Sequence, residues 1–224
     1  MAVLQLLMSD KLFLRDPQET ELGRKILQEG IAMIDELGFE KFTFKKLAAK
    51  IESTEASIYR YFENKHKLLV YLIAWYWNWL EYKIDYGTQN IDDPIQKLEI
   101  ALRIVSEDKK QDSSFPQIDE EALYRIVKVE SDKTYLTKQV DSDNKEGLFR
   151  GYKSLCTRIA SYIKEYNPNY GHPNSLISTV LQAAHHQLFY AEHLPALTDL
   201  KCDENIHEQS KLFLTDMVLK TIKA

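Results

Sequence analysis

The chain has 224 residues, of which 44% are hydrophobic and 28% charged, and this ordinary globular composition leaves room for one large or two modest domains. Its two cysteines are too few for a disulfide framework, its seven glycines and six prolines disfavour a β-rich architecture, and no apolar run reaches the length of a membrane span. We therefore expect an all-α protein of the reducing cytoplasm, with a net charge of −5.

Residues 1–15 are predicted to be a tail or an extra helical turn ahead of the first domain. Their apolar start lacks a basic region and runs into Ser9-Asp10-Lys11, which argues against a signal peptide. The segment Asp16-Pro17-Gln18-Glu19 is typical of a helix start, with Asp as the N-cap and Pro at the first helical position. This first helix is predicted to end at Gly38 and to serve as the scaffold for the helices that follow.

Two short helices are predicted to follow the first one closely. Thr43 can cap a helix that carries Lys45 to Ile51, and Thr54 can cap a second helix from Glu55 to about Tyr61. The second helix would turn Ile58 inward and, one turn further on, Tyr61 or Phe62. Its outward side would then carry small, hydroxyl, phenol and guanidinium groups, which are suited to approach bases and phosphates.

The most specific pattern in the chain is Tyr-x-Tyr-Phe-x-Asn-Lys-x-x-Leu-Leu, which begins at Tyr59. With the matches upstream of it, the pattern resembles the helix-turn-helix of the TetR family of bacterial one-component repressors over residues 21–75. The residues that carry the resemblance are Ile26, Gly30, Ile31, Ala32, Leu37, Gly38, Phe39, Thr43, Leu47, Ala48, Thr54, Ser57, Ile58, Tyr59, Tyr61, Phe62, Asn64, Lys65, Leu68 and Leu69.

The sequence departs from this family at the turn between the two short helices. The family usually has Gly where Glu52 stands and an apolar residue where Ser53 stands. A residue other than Gly is strained by about 1 kcal/mol when φ is positive. We therefore expect a strained turn if the family geometry is kept.

The charge pattern favours a DNA interface in the same stretch. Between Lys41 and Lys67 there are seven basic residues and three acidic ones, although the whole chain is acidic. Such a basic island is expected where phosphates are neutralised. The resemblance also implies a phosphate contact for the lysine at its matched position, Lys65. The predicted DNA contacts are Thr43, Lys45, Lys46, Tyr59 and Lys65 at phosphates, Ser57, Arg60, Tyr61 and Glu55 at bases, and Thr54 and Ala56 beside them.

The remaining elements are predicted to be helices as well. A long fourth helix from about Lys65 to Tyr86 carries an aromatic stripe, which we expect to be core and to make this helix a lever towards the DNA. The stripe consists of Tyr71, Trp75, Trp79 and Tyr82. Further helices are predicted at Asp93–Lys109, Asp119–Val129, Asp141–Tyr166, Asn174–His193 and Glu204–Lys223. We place the DNA-binding domain at residues 16–66 and a second domain at residues 67–224.

The resemblance implies that the second domain encloses a small-molecule effector and dimerises through its last two helices. Its aromatic residues suit a mainly apolar pocket. The candidate lining residues are Tyr124, Phe149, Tyr152, Tyr162, Phe189 and Tyr190. Apolar residues of the last two helices are expected to build a four-helix seam between protomers. The candidates are Leu176, Ile177, Val180, Leu181 and Leu188, with Leu212, Phe213, Met217 and Leu219.

The function predicted from these features is a homodimeric repressor that binds palindromic double-stranded operator DNA and is released by a small, largely apolar effector. In one alternative, the second domain docks a protein partner instead of a small molecule. In another, His185 and His186, with His193, form a metal or catalytic site. His186 and His193 are seven residues apart and share a helix face, but Glu192 and Cys202, the candidates for a third ligand, are merely nearby in sequence. No catalytic motif accompanies these residues, so neither an enzyme nor a cofactor is expected.

Overall fold

A computed structural model describes residues 5–223, and over that range the chain is helical and has no strand. This confirms the all-α prediction. The described residues form eleven α-helices, numbered here in chain order: α1 (Glu21–Leu37), α2 (Phe44–Lys50), α3 (Glu55–Tyr59), α4 (Lys65–Thr88), α5 (Pro94–Ser106), α6 (Glu120–Glu130), α7 (Asp132–Tyr135), α8 (Val140–Lys145), α9 (Arg150–Tyr166), α10 (Pro173–His193) and α11 (Ile206–Lys223). Two 3-10 turns, Pro17–Glu19 and Pro195–Leu197, complete the list.

The chain divides into two compact units. The first contains the residues up to Trp77 together with Lys109–Gly151, and so includes α1 to α3, the first half of α4, and α6 to α8. The second contains Asn78–Asp108 and the residues from Tyr152 onward. The functional boundaries between residues 15 and 16 and between residues 66 and 67 stay a prediction.

The first helix begins later than predicted. The side chain of Asp16 accepts a hydrogen bond from the Gln18 N–H at 2.8 Å, but it caps only the 3-10 turn. Thr20 is then extended, with φ −126° and ψ 152°, and its hydroxyl caps α1 by accepting from the Gly23 N–H at 3.0 Å. A Cβ on Gly23 would lie 2.3 Å from the carbonyl oxygen of Pro17. The turn therefore folds back against α1, and the chain needs a glycine where they touch.

We expect Gly23→Ala to lower the stability of the protein by about 1–3 kcal/mol, because the new methyl group would collide with the backbone of Pro17. Thermal unfolding measures the effect. Gly30→Ala is the matched control, since Gly30 is also buried in α1 but its added Cβ would meet only Leu68 Cδ2, at 3.5 Å. Equal unfolding temperatures for the two variants would contradict the explanation.

The aromatic stripe on α4 is core along most of its length. Tyr71, Trp75 and Trp79 are fully buried, whereas Tyr82 is 37% exposed. Every residue from 68 to 77 is buried, so this part of the helix is enclosed on all sides. Such a helix is held by packing around its whole circumference.

Two predicted helices were too long. The single helix expected from Asp141 to Tyr166 is broken into α8 and α9, because Gly147 adopts φ +79°, which no right-handed helix can include. The helix expected to reach Lys109 ends at Ser106, after which Glu107 is extended. The short helix α7 was not predicted.

Charged side chains connect α1 and the turn after it to α6 and α7 within the first unit. Arg125 forms a two-pronged contact with Asp35, Nε to Oδ1 at 3.0 Å and Nη2 to Oδ2 at 2.8 Å. Glu130 Oε1 accepts a hydrogen bond from the buried Phe39 N–H at 3.1 Å. Lys133 lies 2.7 Å from Glu130 and 3.0 Å from Glu40, and these carboxylates raise its pKa. The first unit therefore joins the N-terminal helices to later parts of the chain through specific polar contacts.

One carboxyl group of the first unit is fully buried. Glu120, the first residue of α6, has no exposed surface, and its Oε2 accepts a hydrogen bond from the Asp112 N–H at 3.1 Å. Burial raises the pKa of Glu120 to about 7, and the nearby negative charges of Asp112 and Asp119 act in the same direction. The folded protein therefore favours the neutral acid.

We expect Glu120 to make stability fall as pH rises. Between the unfolded pKa of 4.5 and the folded value of about 7, the folded state binds more protons, so each rise in pH favours unfolding. Glu120→Gln removes this dependence and should leave stability unchanged near about pH 5 but raise it by about 2 kcal/mol near about pH 8. Denaturant unfolding at both pH values tests this, with the exposed neighbour Glu121→Gln as control. A gain that is equal at both values would count against a raised pKa.

Candidate nucleic-acid interface

Both short helices carry the threonine caps that the sequence predicts. Thr43 Oγ1 accepts from the Lys46 N–H and Thr54 Oγ1 accepts from the Ser57 N–H, each at 3.2 Å. The helix α3 ends at Tyr59, two residues earlier than expected, and Ile58 is its buried residue. These caps set the first turn of each helix.

The turn between α2 and α3 keeps a left-handed residue without a glycine. Glu52 has φ +55°, and the following Ser53 N–H donates to the Ala48 carbonyl at 2.9 Å. The expected strain at Glu52 is therefore present. Its side chain is exposed, so the strain is confined to the backbone.

We expect Glu52→Gly to stabilise the protein by about 1 kcal/mol, because glycine adopts a positive φ without the steric cost of a Cβ. Glu52→Ala is the matched control, since it removes the same charge but keeps the Cβ. The difference in unfolding free energy between the two variants measures the backbone strain alone. If the alanine variant gains as much as the glycine variant, the effect is due to charge.

Eight of the eleven predicted DNA contacts are exposed. Tyr59 is 47% exposed, and its ring packs edge-on against Phe44 with centroids 5.1 Å apart. Ser57 is half-buried, and its hydroxyl lies 2.9 Å from that of Thr54. Lys46 Nζ donates to the Lys41 carbonyl at 2.8 Å. The exposed members are Thr43, Lys45, Lys46, Thr54, Glu55, Ala56, Tyr59 and Arg60.

Tyr61, predicted to read bases, lies inside the fold. It is 3% exposed, and its hydroxyl is 2.7 Å from Thr20 Oγ1. The guanidinium carbon of Arg15 lies 5.6 Å from the centroid of its ring. Tyr61 therefore connects α3 to the start of α1, and its role at a base stays a prediction.

Lys65, predicted to contact a phosphate, binds the backbone. Its Nζ donates to the carbonyl oxygens of Phe39, Glu40 and Phe42 at 3.0, 3.2 and 3.2 Å. An ammonium group has three hydrogens, so these contacts use its full donor capacity. Lys65 thereby ties the start of α4 to the connection between α1 and α2.

The sequence reasoning missed a contribution from the chain ahead of α1. The described part of the expected tail is not loose, because Leu12 is 2% and Met8 is 8% exposed. The Leu14 N–H donates to the Tyr61 carbonyl at 2.8 Å. Residues 1–4 of that tail lie outside the described residues.

The six candidate pocket residues fall in both compact units. In the first, Tyr124 stacks on Tyr76 with ring centroids 6.0 Å apart, and Phe149 packs against Tyr135. In the second, Tyr152 and Tyr190 line an open groove of about 560 Å³. Also in the second unit, Tyr162 bonds Thr88 and Phe189 contacts His193. Their role as one effector pocket stays a prediction.

The three histidines considered for a metal site differ in exposure. His185 is buried, His186 is half-buried and His193 is exposed. Across residues 5–223 there is no group of three His, Cys, Asp or Glu side chains that could hold a metal ion. In the same range, no helix is both long enough and apolar enough to cross a membrane.

Comparison with known proteins identifies the helix-turn-helix. Residues 26–72, from within α1 to within α4, match the sequence model of the family described as bacterial regulatory proteins, tetR family. This match confirms the predicted resemblance to the TetR family over the helix-turn-helix. A comparison with curated proteins finds no match.

Solved structures share the fold of this protein over most of its length. They include the fatty acid degradation regulator FadR from Bacillus halodurans, at 17% identity and a TM-score of 0.61, covering 87% of this chain and 93% of that one. SmeT, the repressor of the Stenotrophomonas maltophilia efflux pump SmeDEF, has 17% identity, a TM-score of 0.56 and coverages of 92% and 91%. AibR in complex with isovaleryl coenzyme A and operator DNA has 17% identity, a TM-score of 0.54 and coverages of 87% and 97%. These likenesses show a common fold.

Proposed function

We propose that the protein is a homodimeric transcriptional repressor that binds double-stranded operator DNA and is released by a small, largely apolar effector. The observation that carries the proposal is the capped helix-turn-helix of the matched family, with Lys45, Lys46 and Arg60 exposed on its surface. Exposed cations around a recognition helix neutralise phosphates and release counterions.

The exposed residues divide by chemistry into base readers and phosphate contacts. With α3 in the major groove, Arg60 and Ser57 can donate to base edges, Glu55 can accept from cytosine, and Ala56 and Thr54 leave room for close approach. Thr43, Lys45, Lys46 and Tyr59 would bind phosphates. Lys65 would reach a phosphate only by giving up one of its backbone carbonyls. Two such surfaces in a dimer would read a pseudo-palindrome.

A path from effector to DNA is supported by the polar contacts of the first unit. The pairs Arg125–Asp35 and Glu130–Phe39 N–H join α6 to α1 and to the turn after it. A shift of α6 would therefore pull on the helices that hold α2 and α3. An effector that binds only the shifted conformer lowers DNA affinity, and DNA weakens effector binding by the same factor. The AibR structure, which contains an acyl coenzyme A and operator DNA, supports this kind of regulation for the shared fold.

The proposed dimer is supported by apolar residues left outside the protomer. On α11, Leu212 is 60% and Phe213 is 41% exposed. Such large exposed side chains are typical of a surface that a second subunit covers. Ile177, Val180, Leu181 and Leu188 of α10 are each at most 1% exposed, because the core of their own protomer uses them. In the proposed dimer interface, α11 therefore contributes more of the apolar contact residues than the sequence pattern predicts.

Fluorescence anisotropy with DNA from just upstream of the gene tests the function, using random duplex as competitor and several salt concentrations. We expect specific, salt-sensitive binding. Arg60→Ala should cost about 1–3 kcal/mol on the operator and less on random DNA, since it loses base contacts. Lys45→Ala should weaken both DNAs alike and flatten the slope of log K against log salt by about 0.9 per lost phosphate contact.

Arg103→Ala is the control, because Arg103 is an exposed cation on α5 and its loss changes net charge equally. Wild-type protein that binds the upstream DNA no better than random duplex would count against this site as the operator. Loss of affinity that is equal for all three variants would show that only total charge matters, which contradicts the proposed interface.

A further inference from the structure

The segment ahead of α1 is folded and packs within the first unit. This N-terminal segment, residues 5–20, buries Leu12 and Met8. The Phe13 ring lies edge-on to Tyr71 of α4 with centroids 6.1 Å apart. Gln18 Nε2 donates to the Leu6 carbonyl at 3.1 Å, which closes the segment on itself. The segment therefore has a fixed position on the helices.

That position is set relative to the end of the recognition helix α3. Tyr61 is the second residue after α3, and both its backbone and its side chain hold the segment. Its carbonyl accepts from the Leu14 N–H at 2.8 Å, and its hydroxyl lies 2.7 Å from Thr20 Oγ1. These two contacts with Tyr61 therefore fix the stretch between Leu14 and Thr20 beside the end of α3.

Arg15 lies in this fixed stretch and carries its positive charge at the protein surface. Its side chain is exposed, and its guanidinium carbon lies 5.6 Å from the centroid of the Tyr61 ring. Over the described range 5–223, no carboxylate forms a salt bridge with Arg15. The neighbouring Asp16 directs its carboxylate to the Gln18 N–H. A guanidinium group that lies over an aromatic ring is held in place, and its N–H groups remain free to donate to a ligand. Two parallel N–H groups of the planar guanidinium can bind two oxygens of one phosphate.

We infer that Arg15 binds a DNA backbone phosphate beside the groove that α3 enters, which makes the N-terminal segment part of the interface. The inference rests on the proposed function. Tyr61, which the segment covers, acts as the platform for this contact and does not itself read a base. Arg15 adds affinity and fixes register without adding base specificity, because phosphates carry no sequence information.

The test compares Arg15→Ala, Arg15→Lys and the control Arg103→Ala in salt titrations against operator and random duplex. We expect Arg15→Ala to weaken both DNAs about tenfold at low salt and to flatten the salt slope by about 0.9 for each protomer bound. Arg15→Lys keeps the charge and should keep most of the slope. The unfolding temperatures of all three variants should match that of the wild type, since the side chains of Arg15 and Arg103 are both exposed.

Other outcomes separate this inference from the proposed function. If Arg15→Ala binds DNA with the wild-type affinity and slope, the inference is wrong while the repressor proposal stands. A lower affinity with an unchanged slope would also overturn it, because Arg15 would then act only by bracing Tyr61. A wild-type protein that binds no DNA at all would remove the proposed function, and the inference would fall with it.

Discussion

The connection between α1 and α2 is the point on which the N-terminal half of the first unit depends. Its backbone leaves polar groups that water cannot fully reach, and buried polar groups must find partners. Glu130 of α6 accepts from the Phe39 N–H, while Lys65 at the start of α4 donates to three carbonyls of the same connection. One short stretch of backbone thereby fixes the entry to α2, the start of α4 and the position of α6.

This arrangement explains how a helix distant in sequence can influence α2 and α3. A buried N–H that loses its acceptor costs about 1–3 kcal/mol, so α6 and the connection are expected to move together. The exposed contact between Arg125 and Asp35 adds orientation more than energy, because exposed ion pairs contribute little. In the proposed regulation, a shift of α6 would therefore reach α2 and α3 through the displacement of a few adjoining groups.

Local hydrogen bonding explains which parts of the fold were predictable. Thr43, Thr54 and Asp119 cap helices where the sequence indicates, because a cap depends on residues two or three positions away. Asp16 was misjudged because the end of the turn at Thr20 depends on packing against Pro17 and Tyr61, which no local pattern reveals. Gly147 was a local signal that was overlooked, because the Leu148 N–H donates to the Asp143 carbonyl at 3.0 Å around this left-handed glycine. At the site, the exposed residues of α2 and α3 and an inward residue at Tyr61 or Phe62 were predictable, and both of these are buried. The contact of Tyr61 with Thr20 and the backbone contacts of Lys65 required the fold.

The packing of residues 5–20 also matters for how the protein is handled. Met8 and Leu12 are buried, and Phe13 and Leu14 contact Tyr71 of α4 and Tyr61 after α3. A purification tag joined to this segment would therefore start close to the proposed DNA interface, and a polyhistidine or basic linker there would add its own attraction for phosphates. A tag joined to α11 would share a helix with the exposed Leu212 and Phe213, so oligomerisation experiments call for a tag elsewhere.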